Sequence, residues 1–97
     1  MRPQRLTIVA RILAKEEKRD FILEELQKLI APTRAEEGCI NYVLHQDTEN
    51  NNQFMFVEHW ENYDLWQKHM NNDLLAAYKA ATEGSVDEFV IHQLHEL

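Results

Sequence analysis

The order of apolar and polar positions divides this chain into segments of two kinds. Leu6 to Ala14 (LTIVARILA) is aliphatic and β-branched at both parities, the pattern of a strand covered on two faces. From Lys15 the period lengthens: Ile22, Leu26, Leu29, Ile30 and Thr33 keep helical spacing with charges opposite them, which predicts a long amphipathic helix. Pro32 lies inside that pattern and, lacking an N–H, is expected to kink or restart the helix, with Gly38 as its stop. Cys39 to Asp47 reads as a second strand, TENNN as a turn, and Gln53 to Trp60 as a third strand that closes an antiparallel hairpin. Asn62 is placed to cap a short helix over Tyr63 to Met70, and Asp73 to cap a second one that Gly84 ends. Ser85 to Leu97 alternates as a fourth strand, and polar Met1 to Arg5, containing Pro3, is expected to fray.

The resulting order, β-α-β-β-α-β, predicts one α+β domain over residues 1–97, ferredoxin-like, with an antiparallel sheet and helices on one face. The other face then raises a difficulty. Strand 1 offers Leu6, Ile8 and Ile12 on one parity and Val9 and Leu13 on the other; strand 4 offers Val86, Val90 and Leu94 against Phe89 and Ile91. An apolar sheet face should not stand in water, so a second sheet is expected to cover it, as in a homodimer.

Charge narrows the partners. A formal charge of -7 and a pI near 5.1 would repel a phosphate backbone, and no basic stripe offsets it, so nucleic acid is not expected. A single cysteine, no signal-peptide pattern and no long apolar run predict a cytoplasmic protein without a membrane segment. Cys39 itself, with no activating histidine beside it, reads as a small buried residue.

Unusual chemistry gathers between Gln53 and Met70, which holds both tryptophans, Glu58, His59, Tyr63 and His69. An aromatic core accounts for much of this, and for His69 a half-buried helix residue bonded to a backbone carbonyl is the plain alternative. As chemistry, His69 is the best candidate base, because imidazole titrates near neutral pH. Trp60, Phe56, Trp66, Leu65 and Tyr42 could form an apolar box around a substrate. Glu58 and Trp60, two apart, share one strand face, so Glu58 either orients a polar partner or accepts a proton, although an ion pair with Arg11 or Arg34 is the commoner arrangement. His59 points the other way. His92 and His95 project to opposite faces and cannot chelate one ion, and no glycine-rich phosphate loop or dinucleotide fingerprint is present, so neither metal nor cofactor is expected.

Three segments together carry a family likeness: EEGCINYVLHQD, then FMFVEHW, then LWQKHMNNDLLAAY. With strand 1 they resemble the antibiotic biosynthesis monooxygenase family over nearly the whole chain. The resemblance implies a dimeric α+β barrel with a pocket between sheet and helices, and matches Tyr42, Glu58, Trp60 and His69 to the family pattern. It spans cofactor-independent oxygenases of quinols and aromatic polyketides, haem-degrading oxygenases and an isomerase. Ala10 stands where the haem-degrading branch has asparagine, His69 near its tryptophan and Tyr78 or Lys79 near its histidine, which disfavours that branch. Asn72 and Asp73 replace the Pro-His of many relatives.

The expectation is a monooxygenase without cofactor or metal, acting on a quinol-like or polycyclic aromatic molecule. His69, Trp60 and Glu58 are its catalytic candidates, and Tyr42, Phe56, Leu65, Trp66 and Tyr78 its substrate contacts. Against it stand a non-catalytic dimeric module binding a hydrophobic small molecule, and an isomerase or lyase of a small oxygenated metabolite. A cavity of a few hundred Å³ reaching His69 would favour a binding or catalytic role.

Overall fold

Strand β1 (Leu6–Ala14) is one of two inner strands of the sheet. It pairs antiparallel with β3 (Gln53–Trp60) on one side and β4 (Val86–Leu94) on the other, while β2 (Cys39–Gln46) adds outside β3, giving the order β2-β3-β1-β4. Helical crossovers join β1 to β2 and β3 to β4, which makes the fold ferredoxin-like. The structure is a computed structural model and describes residues 5–97; apart from exposed Arg5, the stretch expected to fray lies outside the described residues.

Period-two alternation sends Ile8, Ala10, Ile12 and Ala14 of β1 and Phe54, Phe56, Glu58 and Trp60 of β3 to the same buried face. Helix α1 (Arg19–Lys28) lays Ile22 and Leu26 on it, each at most 1% exposed, and each such burial contributes about 1.5–3 kcal/mol. The predicted long helix does restart: α1 ends at Lys28, and α2 (Ile30–Arg34) holds Pro32, which cannot donate to the Lys28 carbonyl. A tight bond from Leu29 N to the Leu26 carbonyl (3.1 Å) closes the first helix.

Three boundaries differ from expectation, each for a local reason. Helix α2 stops at Arg34, so Gly38 is not its cap; with φ +86° it turns the chain into β2 beneath Leu65. Asn62 caps α3 (Tyr63–Met70), as expected, by accepting from Leu65 N at 2.9 Å. The cap of α4 (Asp73–Thr82), however, is Asn72: its backbone is extended and its Oδ1 accepts from Leu75 N at 2.9 Å, which leaves Asp73 in the first turn. Strand β4 ends at Leu94 rather than running to Leu97.

Two register shifts change which residues share a face. Cys39 pairs with Trp60 and Asn41 with His59, so Ile40 is the extra residue and Cys39 joins Tyr42 on the helix side. In β4, Val86 opposes Ala14 while Glu88 opposes Leu13, so Asp87 is the bulge. Val86 therefore lies with Phe89 and Ile91 toward the helices, not with Val90 and Leu94 as strict alternation requires. The opposite sheet face carries Val43, Val57, Val9 and His92 in one row, with Met55, Arg11 and Val90 in the next. Val43 and Leu94 on that face are each more than a third exposed.

Gly38 and Gly84 offer a controlled test of packing against backbone strain, since both have positive φ (+86° and +80°). A Cβ on Gly38 would sit 2.5 Å from Leu65 Cδ1, whereas one on Gly84 meets nothing within 4 Å. Both alanine substitutions incur the left-handed strain of about 1–2 kcal/mol. Gly38→Ala should cost a further ~1–3 kcal/mol from overpacking, read as a lower urea midpoint than that of Gly84→Ala. Equal midpoints would contradict the close approach of Leu65.

Candidate functional site

Ala10 sits in the middle of the buried sheet face, opposite Phe56 on one side and Ile91 on the other. Its methyl group leaves room that a larger side chain would fill. Above it, between the sheet and helices α1, α3 and α4, lies a cavity of about 350 Å³. Ile8, Ala10 and Ile12 form the floor; Leu26, Leu29 and Leu75 form much of the roof. Lys79, Glu83, Asp87, Glu88 and half-exposed Phe89 stand at the α4 and β4 end, and most of the wall between is apolar. A cavity of this size and lining suits a small, largely apolar ligand.

Tyr42, Phe56, Glu58, His69 and Tyr78 all border it. Tyr42 stacks on Phe56 at 4.2 Å between centroids, and its ring meets the His69 edge at 5.7 Å. Trp60, Trp66 and Leu65 do not line the cavity. Leu65 lies against Gly38, and Trp66 packs with Ile8 and Trp60 in a smaller apolar cluster. Trp60, fully buried, stands behind the cavity wall: its indole N–H donates to Glu58 Oε1 at 2.9 Å and its ring lies 4.7 Å from that of His69. It touches both titratable groups while meeting no ligand space.

Glu58 is paired neither with Arg11 nor with Arg34. Arg11 faces the far side of the sheet, bonded to Gln53 and 3.6 Å from Glu88, and Arg34 Nε donates to the Tyr42 carbonyl. Only 4% exposed and with no cation paired to it among the described residues, Glu58 is costly to ionise. Burial pushes its carboxyl up to about 7; the Trp60 hydrogen bond holds it down in part, and the charge of Glu36 adds to the rise.

His69 is 2% exposed, more deeply buried than the plain alternative has it, and its partner is a carboxylate rather than a backbone carbonyl. Its Nδ1 lies 2.9 Å from Glu36 Oε1, and the other Glu36 oxygen accepts from Asn72 Nδ2 at 3.1 Å. Because a carboxylate only accepts, Nδ1 carries the proton and Nε2 keeps the lone pair. Burial lowers the His69 pKa, opposed by Glu36, which favours the protonated ring. A neutral imidazole held in one tautomer by a carboxylate is an oriented base. Burial, then the Glu58 charge, pushes the Tyr42 hydroxyl up, so it stays protonated at neutral pH.

Glu36 and Asn72 belong to the site's hydrogen-bond frame, yet neither is among the site residues expected from the sequence. The EEGC run offers two equivalent carboxylates, and only the turn after α2 brings Glu36 to His69, while Glu37 lies near Lys68 at 3.7 Å. Asn72 did carry a signal, an asparagine directly before a helix. Among the described residues, no group of three or more His, Cys, Asp or Glu side chains is placed to hold a metal ion. No helix there is long and apolar enough to cross a membrane.

The ferredoxin-like fold that frames this cavity is shared with a known family. The model for antibiotic biosynthesis monooxygenase matches residues 5–89, and the chain belongs to that family. It is 38% identical over 56 residues to the Bacillus subtilis protein named "Putative monooxygenase YcnE", and 33% identical over 57 residues to sll1783 of Synechocystis sp.. These matches cover 58% and 59% of this chain and 59% and 39% of the respective relatives, so the chain spans only part of their length. The crystal structure of PA3566 from Pseudomonas aeruginosa is 32% identical, with a TM-score of 0.92 over 97% of this chain and 95% of that one.

Burial of Glu58 makes stability depend on pH with a definite sign. Its folded pKa of about 7 lies above the ordinary 4.5, so between those values the folded protein holds a proton that the unfolded chain has lost. The associated stability is complete below pH 4.5 and falls away as pH rises through 7, by on the order of 3 kcal/mol. His69, lowered from 6.5, acts oppositely, losing stability as pH falls below that value. Urea unfolding of wild type and Glu58→Gln at pH 5 to 8 separates them: the variant should gain on wild type by about that amount as pH rises. A constant difference would show Glu58 titrating as an ordinary carboxylate.

Proposed function

We propose that this protein is a cofactor-independent monooxygenase of a quinol-like or polycyclic aromatic molecule, working as a homodimer in the cytoplasm. One observation carries the catalytic reading: an apolar cavity of about 350 Å³ bordered by a histidine whose tautomer a carboxylate fixes. His69 Nε2 removes the proton of an electron-rich phenol or activated methylene, and the resulting anion gives an electron to oxygen. Recombination of the radical pair joins dioxygen to the substrate carbon, and the imidazolium returns its proton to give a hydroperoxide; at a ring methylene the remaining C–H proton is then lost as the O–O bond breaks, leaving a carbonyl and releasing the second oxygen as water. Apolar walls keep bulk water from the radical pair. Glu36, through Nδ1, and Trp60, against the ring, hold the base in place. Tyr42, Phe56 and Tyr78 give the aromatic surface for the substrate. Family membership and the likeness to YcnE support the class of reaction and leave the substrate to be found by assay.

The homodimer rests on the helix-free face of the sheet. Val9, Val43, Val57, Met55, Val90 and Leu94 give it an apolar surface that no helix among the described residues covers, and a second copy supplies a matching one. Sedimentation at micromolar concentration should give a dimer, and a monomer would overturn this part of the reading.

Oxygen uptake with a panel of quinols and anthrones tests the chemistry. His69→Ala should lower the rate by roughly 10²- to 10⁴-fold. Ala10→Leu, which grows a side chain from the cavity floor, should abolish turnover in a folded protein. Equal uptake by wild type and folded His69→Ala would remove His69 from the mechanism. Binding of the panel without any uptake would favour the alternative of a small-molecule-binding module.

A further inference from the structure

Feeding an anion to oxygen requires one base, yet this cavity holds two buried proton carriers. His69 is anchored through Nδ1 and Glu58 through Oε1, and among the described residues no hydrogen bond engages His69 Nε2 or Glu58 Oε2. Both residues border the same space, on helix α3 and strand β3, and Trp60 touches both from behind. A carboxyl in that position with no cation paired to it among the described residues is costly unless a ligand uses it. We propose that the site is also a keto–enol tautomerase, with His69 and Glu58 acting as a base and acid pair on a neutral ketone fused to an aromatic ring. The inference rests on the same cavity and base as the oxygenase reading but needs no oxygen.

The step balances without an oxidant. His69 Nε2 takes a proton from the carbon next to the carbonyl, the C–H pair becomes the enol double bond, and the carbonyl oxygen takes its proton from Glu58. The site is left as imidazolium and carboxylate, and exchange with solvent through the cavity mouth resets it; the reverse step returns a proton to carbon. Resting protonation suits these roles, since burial raises Glu58 to about 7, so a large share of it is the carboxylic acid at neutral pH, and lowers His69 toward the neutral imidazole on the same cavity. Other groups facing the pair are Tyr42 of β2, Glu36 and Cys39 of the turn before it, and Tyr78 and Lys79 of α4. Tyr42 and Tyr78 stay protonated at neutral pH. Neutral substrates follow from the apolar wall, which gives an anion no buried cation to meet. A fused aromatic ring follows from the Tyr42 and Phe56 stack and from Phe89 at the mouth.

The test is hydrogen–deuterium exchange in D₂O without oxygen, using anthrone and 2-tetralone as probes and NMR to follow the protons next to the carbonyl or, in anthrone, at the methylene conjugated to it. Wild type should exchange them well above the buffer rate. Glu58→Gln, whose amide oxygen still accepts from Trp60, should lower that rate by roughly 10²- to 10⁴-fold, as should His69→Gln. Circular dichroism confirms that each variant is folded, and His69→Ala serves if the glutamine variant is not. Wild-type exchange at the buffer rate overturns the proposal, whether or not the probes bind. Exchange unchanged by Glu58→Gln but lost in the His69 variants also overturns it, because it is deprotonation by His69 alone. Oxygen uptake with the quinols, whose O–H deprotonation exchanges no carbon-bound proton, without anaerobic exchange of the ketone probes overturns it while leaving the monooxygenase reading intact. Exchange without oxygen uptake supports it and removes the monooxygenase.

Discussion

A chain of two hydrogen bonds, Asn72 to Glu36 to His69, ties the turn after α2 to the junction of α3 and α4, 33 to 36 positions further on. Asn72 caps α4 with its oxygen and grips Glu36 with its nitrogen, so one side chain fixes both the start of a helix and the direction of a carboxylate. Glu36 in turn decides which nitrogen of His69 keeps a lone pair. The turn after α2, helix α3 and helix α4 are thereby held in one arrangement around the cavity. Each bond is worth about a kilocalorie or two by itself, more where a charge takes part. Its larger effect is on orientation, because an imidazole free to rotate would be a weaker base than one fixed in place.

Most of the fold was legible because alternation and helical period are local signals. Strands β1 and β3, the restart at Pro32 and the cap at Asn62 all follow from residues within a few positions of one another. What escaped was not local. Placing Val86 with Phe89 depends on one extra residue at Asp87, and a bulge has no signature in a strand already apolar on both parities. The cap of α4 went to Asn72 over Asp73 because two good capping residues stand side by side and only backbone geometry chooses.

The candidate site was legible in the same uneven way. Glu58, His69, Tyr42, Phe56 and Tyr78 stand at the cavity because strand parity or helix position puts them there. Trp60 shares the face of Glu58, as parity requires, yet lies too near the end of β3, under Trp66 and His69, to reach the open space. Glu36 stayed hidden since nothing in an EEG run says which glutamate will meet a histidine 33 positions on. Asn72 supplies both the cap of α4 and a donor to Glu36, a double role that proline, with no side-chain donor, could not fill.

Strand β1 ties the cavity to the opposite face of the sheet. Its even residues floor the cavity and its odd residues, Val9 and Leu13 among them, lie on the helix-free side, so no shift of one set can leave the other in place. Ala10 gives the cavity its depth, and the inner position of β1 between β3 and β4 keeps that depth constant. Anything that packs against Val9, Val57 and Val43 therefore also stiffens the floor beneath a ligand. Cover on one face and a defined cavity on the other are thus a single constraint, imposed by a strand apolar at both parities.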